Sequence, residues 1–163
     1  MTIRTTRQQP RRGRLYLLFG MGSDRYALDV RDVLEVMPLR QLKRLAGAPT
    51  WVAGVFDWRG SPVPVLDLGA LAFGEPARAR TSTRLVMVRY AGHSLGLILE
   101  QATETLRCQP EAFQDYGLDG GEARYLGPVF RSAQGLVQRV EVAELLGEEA
   151  RTLLFPTDAE AAS

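Results

Sequence analysis

Three residue types that carry much of protein chemistry are nearly missing from this sequence. Its 163 residues include one cysteine, Cys108, one histidine, His93, and one lysine, Lys43. A single cysteine excludes an internal disulfide and every metal site built from several thiolates. Because the chain has one cysteine and one histidine, any other side-chain metal ligands would have to be carboxylates. No series of Asp and Asn residues matches a calcium-binding loop. We therefore expect no metal site.

Long apolar runs and familiar catalytic motifs are also missing. No run reaches the roughly 18 apolar residues that a membrane-spanning helix needs, and no signal sequence is recognisable, which favours a cytoplasmic setting. Glycine-rich loops of the dinucleotide- and phosphate-binding types are missing too, so we expect no cofactor. The sequence has no G-x-S-x-G serine motif, and His93 falls at a predicted hairpin turn with no catalytic partner near it. A carboxylate pair such as Asp57 and Asp67 stays open as the active site of a small β-barrel enzyme.

The sequence has no excess of one charge. Twenty Lys and Arg residues face 19 Asp and Glu residues, and the net charge of +1 argues against a dominant nucleic-acid-binding face. The N-terminal arm, residues 1–14, is the exception because it is rich in arginine and has no acid. We expect a flexible arm, and nucleic-acid binding through it stays open as an alternative function.

Hydrophobic patterning predicts a globular protein made mainly of strands. Apolar runs bounded by Gly, Pro, Ser and Asp predict strands over 15–19, 25–30, 51–58, 62–68, 85–90 and 94–100. Apolar residues at helical spacing predict a short helix over 31–37, which Pro38 ends, and a closing helix over 142–155. Two prolines in the run over 62–68 predict an edge or rim strand, because proline cannot donate to a neighbouring strand.

The two halves of the chain repeat one order of elements. Each has a hairpin, a short helix, a strand and an acid-bearing strand, which suggests duplication of a β-rich unit and two small barrels packed together. We expect a single domain over 15–155, with a first lobe at about 15–73, a linker at 74–83 and a second lobe at about 84–155. A flexible loop over 114–124 and a frayed tail over 156–163 complete this division.

One predicted turn has the composition of a protein-binding site. In Trp58-Arg59-Gly60-Ser61-Pro62, the glycine can adopt positive φ and the proline stiffens the exit, so Arg59 is presented to solvent with little freedom to lose. An exposed, rigid arginine beside aromatic side chains is a common composition for an interaction hot spot. With no catalytic constellation to compete, the turn favours an interaction protein.

An ordered set of motifs carries a family resemblance. It begins with Tyr26-Ala27-Leu28-Asp29-Val30 and Val33-x-Glu35-Val36, and continues with Pro49-x-x-Val52-x-Gly54-Val55 and Arg59-Gly60-x-x-Val63-Pro64-Val65-x-Asp67-Leu68. With weaker matches farther on, the chain resembles the CheW-like coupling proteins of bacterial chemosensory systems over about residues 15–147. Within that family, it is most similar to the accessory couplers of Wsp-type surface-sensing pathways.

The resemblance implies a CheW-like fold, mainly β, with two SH3-like five-stranded β-barrel lobes, short connecting helices and a C-terminal helix. It implies no enzyme activity. Such proteins are cytoplasmic adaptors, recruited to membrane receptor arrays, where they couple the cytoplasmic tip of a methyl-accepting chemoreceptor to the regulatory domain of a histidine kinase.

The resemblance also implies two sets of interface residues. Carried over position by position, the kinase-binding residues are Val33, Glu35, Val36, Arg59 and Gly60, and the receptor-binding residues in the cleft between the lobes are Gly54, Leu66 and Gly96. The sequence departs from the family where Asp57-Trp58 replaces the usual Asn-Leu before Arg-Gly. It departs again at Leu99-Glu100 and Gln138-Arg139, so interface residues carry over less safely than the fold.

Overall fold

A computed structural model describes residues 13–116, 121 and 123–156 of the chain. In these ranges the structure has nine strands and two α-helices. The strands are β1 (Arg14–Met21), β2 (Asp24–Asp29), β3 (Val33–Pro38), β4 (Val52–Trp58), β5 (Ser61–Asp67), β6 (Arg84–Tyr90), β7 (His93–Cys108), β8 (Leu126–Ser132) and β9 (Gly135–Val140). The helices are α1 (Leu68–Phe73) and α2 (Glu148–Leu154), and 3-10 turns occupy Val30–Asp32, Pro110–Ala112 and Val142–Glu144.

The long strand β7 joins two five-stranded lobes. Its first half pairs with β6 and, in parallel, with β5, and these strands form one lobe together with β3 and β4. Its second half pairs with β1, which leads through β2 to β9 and β8 and so completes the other lobe. We call these the 33–99 lobe and the 100–140 lobe, the latter including β1 and β2. The predicted mainly-β fold of two five-stranded lobes is confirmed.

The strand pairing divides the chain differently from the predicted lobes at 15–73 and 84–155. Strands β1 and β2 pair with β7 and β9, whereas β6 and the start of β7 pair with β3 and β5. The segment 74–83, predicted as a linker between lobes, therefore joins α1 to β6 within the 33–99 lobe. The prediction followed chain order, but the hydrogen bonds that define the lobes are long-range.

The prediction of a helix over 31–37 is wrong, because most of this segment forms strand β3. Val33 pairs with Val88, and Val36 pairs with Val86, as suits β-branched residues. The register shifts between Val33 and Glu35, so the simple alternation of a strand is interrupted there. This bulge spaces the apolar residues in a way that imitates a helical period.

The largest core cluster contains residues of both lobes. Leu28 of β2, Leu66 of β5, Leu97 of β7 and Val140 of β9 are all essentially inaccessible to solvent and belong to this cluster. The predicted closing helix over 142–155 is in the structure a 3-10 turn followed by the shorter α2. Phe155, just after α2, is buried and anchors this end of the described chain in the same core.

Several predictions fall on residues outside the described ranges. They concern the arginine-rich arm up to residue 12, positions 117–120 and 122 of the predicted flexible loop, and the tail from residue 157. The alternative function of nucleic-acid binding through the arm also lies outside the described residues. Among the described residues, no helix is both long and apolar enough to cross a bilayer.

Candidate protein-interaction site

Three side chains meet on the surface of the 33–99 lobe. The indole Nε1–H of Trp58 donates a hydrogen bond to Oε1 of Glu35 over 2.9 Å. Nη2 of Arg59 lies 3.6 Å from the same oxygen, and Cζ of Arg59 lies 4.3 Å from the centroid of the Trp58 ring. The side chains of Arg59 and Glu35 are 68% and 43% exposed, so the charges are available to a partner. We call these three residues the Trp58 cluster.

The β4–β5 turn fixes where Arg59 projects. Trp58 pairs with Ser61, which leaves Arg59 and Gly60 as a two-residue hairpin loop. Both have positive φ, 52° for Arg59 and 81° for Gly60, as in a type I′ turn. A left-handed backbone is unfavourable for an arginine, and such strain in a structure is a reason to look for function.

The Trp58 cluster spans two strand edges. Among the described strands, β3 pairs only with β6, and β4 pairs only with β5. A backbone bridge between Lys43 and Val55 covers part of the β4 edge. Because Glu35 lies on β3 and Trp58 ends β4, their side-chain hydrogen bond connects strands that do not pair with each other.

The other residues predicted to bind a kinase differ in exposure. Val36 is 43% exposed beside Glu35 on β3, and Gly60 is exposed at the tip of the turn. Val33 is half-buried and packs against the main core. The structure therefore makes Glu35, Val36, Arg59 and Gly60 accessible, whereas Val33 supports β3 from within.

The residues predicted to bind a receptor lie in the interior. Leu66 is fully buried, and Gly96, which pairs with Val65 in the parallel β5–β7 ladder, is buried too. A Cβ added at Gly96 would lie 2.8 Å from Cγ2 of Val65. Gly54 is buried, has φ of 149° and packs against the backbone of Lys43. These residues set the geometry of β4, β5 and β7 and present no side chain to a partner.

Sequence reasoning missed a groove at the junction of the lobes. Gly20, Met21 and Gly22 line one side, and Phe73 of α1 lines another, with Gln101 of β7 nearby. Phe73 is 52% exposed. At Gln101, φ is 52°, and here β7 passes from one lobe to the other. The sequence carries no local signal for this groove, because the groove depends on the long-range pairing of β1 with β7.

The structure does not assemble the proposed carboxylate pair. Asp57 is exposed opposite Pro62 at one end of β5, whereas Asp67 ends the same strand. Five residues of strand separate these ends by roughly 16 Å, too far for two carboxylates to act on one bond. Asp67 is 8% exposed and accepts hydrogen bonds from the backbone of α1 and of Ala77. Its role is structural.

Two further side chains with reactive chemistry are His93 and Cys108. The ring of His93 stacks on Phe155 with centroids 4.2 Å apart. Burial raises the pKa of the Cys108 thiol, which disfavours the reactive thiolate despite the nearby Arg139. Within the described ranges, no group of His, Cys, Asp and Glu is arranged to hold a metal ion.

These features define a class of protein, a two-lobed β domain with an exposed arginine at a strained hairpin turn. A family model described as the CheW-like domain matches residues 15–150. The chain therefore belongs to the CheW-like domain family, and the resemblance predicted from the motifs is confirmed. Its closer similarity to Wsp-type couplers stays a prediction.

Individual relatives agree with this family. The chain is 24% identical over 99 residues to a chemotaxis protein CheW of Klebsiella aerogenes, covering 61% of this chain and 60% of the relative. It is 30% identical over 93 residues to a chemotaxis protein CheW of Helicobacter pylori, covering 56% of each. The chain thus spans less than two thirds of the length of these relatives. The crystal structure of scaffolding protein TtCheW from Thermoanaerobacter tengcongensis superposes on this structure with a TM-score of 0.74 at 19% identity. The match covers 85% of this chain and 90% of that one, so the two proteins share a fold.

Proposed function

We propose that this protein is a non-catalytic adaptor that couples a methyl-accepting chemoreceptor to a chemotaxis-type histidine kinase in a signalling array. The observation that carries the proposal is the CheW-like family match over residues 15–150. The names of the relatives, chemotaxis protein and scaffolding protein, point the same way. Recruitment from the cytoplasm to membrane receptor arrays is part of the same proposal.

The kinase regulatory domain binds, in this proposal, at the Trp58 cluster and its neighbours. Arg59 offers a guanidinium that is 68% exposed, and Val36 offers an apolar surface that is 43% exposed. A charged group beside an exposed apolar residue gives an interface both orientation and burial. Val33 acts indirectly, because it packs beneath β3.

The receptor tip binds, in this proposal, in the groove at the junction of the lobes. Phe73 provides an exposed apolar contact there, and Arg78, Arg80 and Glu100 provide charge. Gly54, Leu66 and Gly96 affect receptor binding through the strands that they hold in place, since all three are buried. The groove residues thus extend the predicted receptor-binding set to the surface.

A pull-down of the tagged, full-length protein from its own host tests this function. Wild type should recover a histidine kinase and a methyl-accepting receptor, identified by mass spectrometry. Arg59→Glu should lose the kinase and keep the receptor, because the two surfaces are separate. Arg131→Glu, which changes an exposed arginine on β8 in the other lobe, is the matched control and should recover both. Recovery of neither partner by wild type, under conditions that preserve receptor arrays, would overturn the proposal.

A further inference from the structure

We propose that Trp58 is a positioning residue that holds Glu35 and Arg59 as a preformed pair of opposite charges for a partner surface bearing the complementary pair. This inference rests on the proposed adaptor function and deepens it, because it states what the kinase-side surface must present. Arg59 takes a carboxylate of the partner, and Glu35 takes a cationic or N–H group. Trp58 itself acts through these two side chains.

Trp58 is suited to this role because its side chain packs against the lobe interior and also contacts the charged groups of Glu35 and Arg59. Its ring packs against the buried cluster of the 33–99 lobe that includes Met37 and Val63. Its N–H donates to Oε1 of Glu35 over 2.9 Å, and its face supports the guanidinium of Arg59 at 4.3 Å. A single side chain therefore connects the lobe interior to both charges.

The charges keep bonding capacity for a partner. In the ion pair, Nη2 of Arg59 lies 3.6 Å from Oε1 of Glu35, which is longer than a hydrogen bond. A guanidinium has five N–H donors, and a carboxylate has acceptor sites on both of its oxygens. Within the described residues, the one side-chain hydrogen bond of this pair is the bond that Glu35 accepts from Trp58. A partner can bind both groups without breaking the Trp58 cluster.

Preorganisation is what the Trp58 cluster adds to binding. An exposed Arg–Glu pair normally contributes little, because both long side chains must be ordered when they engage. Here the hydrogen bond and the ring contact restrict both side chains before the partner arrives. The turn restricts Arg59 further, since its backbone is fixed at a φ of 52°. Loss of the indole N–H should free Glu35 and weaken binding.

A double-mutant cycle tests the coupling, with the regulatory domain of the host's chemotaxis-type kinase titrated into the full-length protein. We expect Trp58→Phe and Glu35→Ala each to weaken binding about fivefold to tenfold, as the freedom of the charged side chains returns. The double variant should bind no more weakly than Glu35→Ala, because Trp58→Phe removes the N–H that bonds Glu35 but keeps an aromatic ring beside Arg59. Trp51→Phe changes the other tryptophan and should bind like wild type. Additive losses, or a Trp58→Phe affinity within twofold of wild type, would overturn the inference.

A measurement without the partner separates the inference from the proposed function. In ¹⁵N-labelled free protein, the indole N–H signal of Trp58 should shift and exchange faster with solvent in Glu35→Ala. Glu35→Gln keeps an acceptor oxygen and should restore the wild-type signal, while the Trp51 signal stays fixed. An unchanged Trp58 signal in Glu35→Ala would show that the hydrogen bond is absent. Wild type that fails to bind the kinase domain would instead overturn the adaptor function, together with the partner assigned to this pair.

Discussion

The carboxylate of Asp67 accepts a hydrogen bond from the backbone N–H of Ala77, with Oδ2 2.9 Å from the nitrogen. Oδ1 also accepts from the N–H of Ala70, at 3.1 Å, and so caps the first turn of α1. One buried side chain thus joins the end of β5, the start of α1 and the segment 74–83. The bonds explain why this polar, proline-containing segment lies against the 33–99 lobe.

Removing this carboxylate should destabilise the fold. Asp67→Ala leaves two N–H groups without their acceptor, one at a helix start and one partly buried, which should cost about 2–3 kcal/mol. Asp67→Asn keeps one acceptor oxygen and should cost about half as much. The midpoint of urea unfolding, at unchanged m-value, measures both. Equal stability of Asp67→Ala and wild type would show that the two bonds contribute nothing net.

Gly54 should tolerate no side chain. Its φ of 149° is one that other residues rarely adopt, and an added Cβ would meet the carbonyl oxygen of Lys43. Gly54→Ala should therefore cost more than about 2 kcal/mol, because strain and a backbone clash add. Gly92→Ala is the matched control, since Gly92 has φ of 81° and open space around it. It should cost about 1 kcal/mol from strain alone. Thermal unfolding of both variants tests the difference, and equal losses would exclude the clash.

Local elements of the fold were readable from the sequence. The β6–β7 hairpin was predicted as strands over 85–90 and 94–100, and the structure has Arg84–Tyr90 and His93–Cys108 around the turn Ala91-Gly92. The prolines of β5 indicated its position only in part. Pro62 and Pro64 lie where β4 is the only paired neighbour, but Val65 to Asp67 also pair with β7, so β5 is not an edge strand. Apolar runs and turn residues act over a few positions, so they leave a local signal.

Long-range relationships left no such signal. The pairing of Tyr26 with Gln138 crosses most of the chain, and nothing near either residue indicates it. The candidate site also has one part that the sequence predicts and one part that only the fold defines. The Arg59 turn was readable from its own composition, whereas the hydrogen bond of Trp58 to Glu35 depends on how two strand edges meet. The burial of Leu66 and Gly96 likewise follows from the parallel β5–β7 ladder, which only the fold defines.

Asp32 should make stability depend on pH. Burial raises the pKa of this carboxyl, the charge of Asp29 raises it further, and Arg31 opposes the shift. Because the folded-state pKa lies above the unfolded one, the folded protein holds the proton more tightly. The stability from Asp32 is therefore present at low pH and is lost as pH rises from about 4 through the folded-state pKa. Asp32→Asn imitates the neutral form, so its advantage over wild type should grow from pH 3.5 to pH 7. Urea unfolding across this range tests the sign, and an advantage that shrinks as pH rises would contradict it.

The two strained hairpin turns allow the backbone strain at Arg59 to be separated from its contacts. Ala91 has φ of 47° in the β6–β7 turn, close to the 52° of Arg59 in the β4–β5 turn, and a glycine follows each of them. A left-handed backbone at a residue other than glycine reduces the free energy of unfolding by about 1–2 kcal/mol. Glycine removes this strain, but it recovers only part of the stability because it loses more conformational freedom on folding.

We therefore expect Ala91→Gly to raise the free energy of unfolding by about 0.5–1 kcal/mol. Arg59→Gly should gain less, because it also loses the ion pair with Glu35 and the contact with the Trp58 ring. Urea unfolding of both variants gives the difference, which measures what these exposed contacts contribute to folding. In the kinase-domain titration, Ala91→Gly should bind like wild type, whereas Arg59→Gly should bind far more weakly. An Arg59→Gly variant that gains as much stability as Ala91→Gly and binds normally would mean that Arg59 is neither held by the Trp58 cluster nor used by the partner.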